Sequence, residues 1–165
     1  MADGVSRLIE LLSEKENTLQ ELLHVLEEEQ GCLVQLDVEK LQSQAAKKQA
    51  LYDRLTNSAS HCRRLIDKLA GELGVPGAQS LSPLLPGLPQ PQRETLLGLQ
   101  RRLLELGRGL DKLSSLNGRL LQGALLTVNR SLEFFGRAFN RSTTYGGAGR
   151  MVVGDQTARL LRREA

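Results

Sequence analysis

Between Val5 and Leu36 the chain repeats large apolar residues at alternating three- and four-residue steps. Val5, Leu12, Leu19, Leu26 and Leu33 hold one heptad position, and Leu8, Leu22 and Leu36 hold the other. That spacing puts all of them on one face of an α-helix and does not fit the two-residue period of a strand. Lys15 and Glu29 interrupt the second position, while Ile9 and Leu23 widen the stripe. A long amphipathic helix is therefore predicted over about 5–36. Gly31 lowers intrinsic helix stability by up to about 1 kcal/mol relative to alanine. A bend or break is expected between Gly31 and Asp37, with Asp37 placed to cap the next element.

The pattern resumes over about 38–73 through Leu41, Ala45, Lys48, Tyr52, Leu55, Ala59, Cys62, Ile66, Leu69 and Leu73, flanked by Leu51 and Leu65. Gly74 and Pro76 stop it, because glycine accepts the left-handed cap conformation and proline cannot continue a helix. All five prolines fall within 74–91, which is a linker by composition. Its leucines, Leu81, Leu84, Leu85 and Leu88, are expected to pack over the end of a bundle, with one short helical turn.

A third helix is predicted over about 92–139, roughly 70 Å long at 1.5 Å per residue. Its first half carries one seam, Leu96, Leu99, Leu103, Leu106, Leu110 and Leu113. At Asn117 the seam changes character. Leu120 and Ala124 continue the old line, while Leu121, Leu125, Val128, Leu132, Phe135 and Phe139 open a second one. Gly98, Gly107, Gly109, Gly118, Gly123 and Gly136 together give up on the order of 3 to 6 kcal/mol of intrinsic helix stability. Packing must hold this helix in shape, and it is expected to fray, bend or change path where nothing covers it.

With no tryptophan, three phenylalanines and two tyrosines, any core must be built from leucine, which suits helix-on-helix packing. The expected fold is all-α: a long antiparallel helical hairpin plus a long third helix, as a three-helix bundle or coiled coil. Residues 1–139 are read as a single domain and 140–165 as a flexible basic tail. Charge is unevenly spread. Asp3, Glu10, Glu14, Glu16, Glu21, Glu27, Glu28 and Glu29 dominate the first thirty residues, and Arg137, Arg141, Arg150, Arg159, Arg162 and Arg163 dominate the end.

Several kinds of chemistry lack their residues. The glycine run around Tyr145 has neither the Lys-Ser/Thr sequel nor the preceding strand of a phosphate-binding loop. His24 and His61 lie on separate helices with no second Cys/His pair to complete a metal site. The tail arginines are spread too thinly, without stacking aromatics, for a nucleic-acid platform. An enzyme would need a convergent polar pocket that these helices do not supply. No cofactor, metal or membrane insertion is expected. Cys32 and Cys62 would sit about 30 Å apart in the hairpin at 1.5 Å per residue, too far to bridge. With no apolar run of spanning length, a cytoplasmic protein is expected.

The broad face from Leu120 to Phe139 leaves two readings open: intramolecular core, or a docking surface for another amphipathic helix. Self-association through the same face, in a structural coiled coil, is the competing form of the second.

The order of motifs resembles the FlgN family of flagellar type III export chaperones. The resemblance rests on "LVQLDVEKL", "AAKKQALYDRL", "LNGRLL" (Leu116–Leu121), "TVNRSLEFF" (Thr127–Phe135) and "YGGAG" (Tyr145–Gly149), in that order. It implies binding of the hook-filament junction proteins FlgK and FlgL through their C-terminal amphipathic helices, and delivery to the export gate. The implied client surface is Leu121, Leu125, Val128, Leu132, Phe135 and Phe139. Tyr145 matches the family's C-terminal tyrosine, which implies contact with the export-gate protein FlhA.

Overall fold

The computed structural model describes residues 2–142 of the chain, with side-chain surroundings for 3–139. Three long helices, α1 (Ala2–Gln35), α2 (Val38–Glu72) and α3 (Gln90–Ser142), are joined by a two-residue turn and a linker holding one 3-10 turn, Leu85–Gly87. No strand occurs among the described residues. The all-α expectation holds, and α3 continues through Asn140–Ser142, which the sequence pattern assigned to the tail.

Gly31 does not break α1. The helix ends later in the expected 31–37 interval, in a Schellman motif: the Asp37 N–H donates to Cys32 O (3.0 Å) and the Leu36 N–H to Leu33 O (3.4 Å). Leu36 takes the left-handed conformation this motif requires, with φ 56°. The next helix starts at once, because the Asp37 side chain accepts the Lys40 backbone N–H at 3.1 Å. The end of α2 repeats the motif, the Val75 N–H donating to Ala70 O (2.9 Å) and the Gly74 N–H to Gly71 O (3.3 Å). Here the left-handed residue is Gly74, φ 70°.

The described residues fall into two units, one up to residue 121 and one from residue 122 onward. In the first, Val5, Leu8, Leu11, Cys62, Leu69 and Ala70 pack with Leu84, Leu85, Leu88 and Leu96 in one apolar cluster. A second cluster joins Leu22, Val25, Leu26, Leu51 and Leu110. These pairings run α3 parallel to α1, with Leu96 at the Val5–Leu8 level and Leu110 at the Leu22–Leu26 level. As expected, the linker leucines close the end of the core. Arg93 holds them there, donating to the carbonyls of Leu85 (2.9 Å), Pro86 (2.9 Å) and Leu88 (3.0 Å). Arg102 donates through Nε and Nη2 to the two carboxylate oxygens of Glu16, at 2.6 and 3.1 Å. The carboxylate holds the guanidinium proton more firmly than usual. Cys32 and Cys62 are both free and buried.

The face of α2 differs from the one read from its apolar residues. Leu41, Leu55, Cys62 and Leu69 lie on the inner side, but Ala45, Tyr52 and Ala59 are exposed, and Gln44, Leu51 and Ser58 turn inward instead. Two of those three are polar, so a hydrophobic pattern passes over them. Gln44 is accommodated because its Nε2 donates to Glu28 at 2.9 Å. Leu36, counted as a seam residue, is also exposed, because the Schellman turn swings it off the helix face.

Candidate functional site

The bundle seam of the first unit closes on a polar node. Asn117 of α3 is only 4% exposed. Its Nδ2 donates to the Leu26 carbonyl at 2.8 Å and to Glu29 Oε2 at 2.9 Å. The other oxygen of Glu29 pairs with Lys48 of α2. One side chain from each helix therefore meets at this level, and the two interruptions read from the sequence, Glu29 and Asn117, turn out to be partners. Asn117 Oδ1 has no hydrogen-bond partner. Buried polar groups of this kind fix the register of packed helices at some cost in stability. Beyond Asn117 within this unit, Leu120 is half-buried and Leu121 exposed.

The second unit, as far as it is described, is the C-terminal part of α3. Leu125, Val128, Leu132, Phe135 and Phe139 follow at three- and four-residue steps, inside an arc of about 80° at 100° per residue. All five are exposed, Leu132 to 65% and Phe135 to 54%. The stripe named from the sequence is thus a surface in this chain, and the intramolecular-core reading does not describe it. Side chains this large on one exposed face mark a site of association more often than a solvated surface.

Two exposed residues outside that stripe, Leu126 and Phe134, were not singled out in the sequence. Phe134 meets Phe135 edge to face, ring centroids 5.7 Å apart. Thr127, Arg130, Ser131 and both phenylalanines line a shallow depression. The signal available was the doubling of apolar residues in "ALLTV" and "EFF", which gives the helix apolar groups on more than one side. Glu133 and Arg137 form an exposed i,i+4 ion pair at 3.5 Å, worth a few tenths of a kcal/mol. A methyl group at Gly123 or Gly136 would meet nothing within 4 Å.

Tyr145 lies outside the described residues. Among the described residues no group of three or more His, Cys, Asp or Glu side chains could hold a metal, and no helix is long and apolar enough to cross a membrane.

An all-α chain built on a helical hairpin, with an uncovered apolar helix face, is in broad class a helix-packing protein. Comparison with known families sharpens this: the FlgN protein family model matches residues 1–152. No curated protein and no solved structure matches the chain. The chain belongs to the FlgN family. It is in general terms a flagellar export chaperone, a family role that is not enzymatic.

Proposed function

We propose that this chaperone serves hook-filament junction proteins, FlgK- and FlgL-like, holding their C-terminal amphipathic helices before export. The client helix lies along Leu121, Leu125, Val128, Leu132, Phe135 and Phe139. The observation that carries the reading is the exposure of these large apolar side chains on one helical stripe. Each is about half-exposed, so covering it contributes roughly 1 kcal/mol, and a matching client face contributes as much again. Gross stabilisation is then on the order of 10 kcal/mol, against at least 4 kcal/mol for association and more for ordering a disordered client. The balance favours a complex of micromolar or weaker affinity, which holds a client yet releases it without ATP or metal.

The chaperone works in the cytoplasm as one functional domain over 1–139, and the basic tail carries a separate task. Tyr145 docks the loaded chaperone on the export-gate protein FlhA. Tyr145→Ala is expected to leave client affinity unchanged and to reduce export; loss of client binding in that variant would show that the two roles are not separate.

Mixing the purified chain with a junction protein's C-terminal peptide tests the client assignment. A stoichiometric complex supports it. A tight oligomer indifferent to the peptide supports the competing reading, a coiled-coil scaffold that self-associates through the same face.

A further inference from the structure

Leu36 is the one non-glycine residue with positive φ among the described residues. The same capping motif closes α2, and there the chain uses Gly74. A leucine in the left-handed region is strained by its Cβ, whereas glycine is not. The core gives no compensation, since Leu36 is 55% exposed. Its neighbours Val34 and Val38 are more exposed still, so three large apolar side chains stand within five residues at the tip of the hairpin. The fold alone would be better served by glycine at 36 and polar residues at 34 and 38.

We infer that this tip, with Leu36 at its centre, is a second contact surface for the client helix, an inference that rests on the client reading above. Within the first unit Asn117 lies beside Leu26 and Glu29, and α3 runs parallel to α1. Leu121 is therefore one turn further toward the tip, at the start of the proposed client stripe. The tip also states the chemistry of its occupant. Glu27 and Glu39 are exposed around it, and the last turn of α1 carries no basic residue to offset the negative end of the helix. Lys40 and Lys47 are engaged by Asp37 and Glu28. An amphipathic helix whose apolar face is bordered by lysine or arginine fits such a surface. The strained leucine persists because it belongs to the binding surface, in keeping with backbone strain collecting at functional positions.

The test is a substitution that improves the fold while removing the contact. In the full-length chain, Leu36→Gly is expected to raise Tm by a few degrees. It should weaken binding of a client C-terminal peptide roughly five- to tenfold, the loss for uncovering about half a leucine. Leu36→Asn, which also accepts the left-handed conformation, and Val38→Ser should weaken it in the same direction. If Leu132→Asp/Phe135→Asp abolishes peptide binding while the Leu36 and Val38 variants bind as the parent does, the tip inference alone falls. If Leu132→Asp/Phe135→Asp binds normally, the client reading falls and this inference with it. Loss of self-association in the Leu36 variants, with peptide affinity unchanged, would assign the tip to a second copy of the chain and overturn the inference.

Discussion

Replacing Asn117 by alanine, leucine and aspartate separates the contributions at the polar node. Its amide donates one hydrogen bond to a carbonyl at 2.8 Å and one to a carboxylate at 2.9 Å. These contribute about 1 and about 1.5–3 kcal/mol, while the unpartnered Oδ1 costs about 1–3 kcal/mol. Asn117→Ala removes all three, so a net loss of about 1–2 kcal/mol is expected. Asn117→Leu makes the same exchange but adds about 1.5–3 kcal/mol of apolar burial at a seam position, which leaves stability within about 1 kcal/mol of the parent or above it. Asn117→Asp sets a second carboxylate beside Glu29. At roughly 4 Å and an effective dielectric of 20 that repulsion is about 4 kcal/mol, and acidification should relieve it. Urea unfolding followed by circular dichroism at 222 nm gives the order: leucine near or above the parent, then alanine, with aspartate lowest at pH 7. The reasoning is refuted if alanine costs nothing, or if aspartate is no worse than alanine at pH 7.

Two further predictions concern local structure. Gly123→Ala and Gly136→Ala should each stabilise the C-terminal part of α3 by about 0.5–1 kcal/mol, because the added methyl meets open space; hydrogen exchange of the neighbouring amides measures it. Asp37 is held below the usual carboxylate range, first by the Lys40 backbone N–H and then by the Lys40 ammonium. Its contribution is present above the unfolded carboxylate pKa of about 4 and is lost as pH falls through the lower folded value. Asp37→Asn, which still caps the helix, should remove that part of the acid sensitivity in unfolding curves recorded from pH 5 to 2.

Leucine spacing made the three helices, the leucine-lined linker and the exposed stripe on α3 legible in the sequence, because each is a periodicity of apolar residues. The same signal misread α2. Ala45 and Ala59 fit an apolar line, yet Gln44 and Ser58 occupy the inner face; Gln44 Nε2 finds Glu28 there, while Gln44 Oε1 and Ser58 Oγ have no hydrogen-bond partner. Glu29 and Asn117 looked like defects of two separate seams, and their pairing across 88 residues has no local signature. The break expected between Gly31 and Asp37 falls at the far end of that interval: α1 continues through Gly31, with Cys32 and Leu33 buried, and stops at Gln35, before a leucine the capping motif does not favour. Whether the stripe beyond Asn117 was core or surface depended on what the rest of the chain covers, which spacing along one helix does not encode.

The central claim is that the exposed stripe on α3 binds the client helix. Titration calorimetry with a junction-protein C-terminal peptide tests it most directly, comparing the parent chain with Leu132→Asp/Phe135→Asp. Both side chains are exposed, so the hairpin and its helicity should be unchanged by circular dichroism. The account predicts stoichiometric binding by the parent and none by the variant. Equal affinity in the two would contradict it.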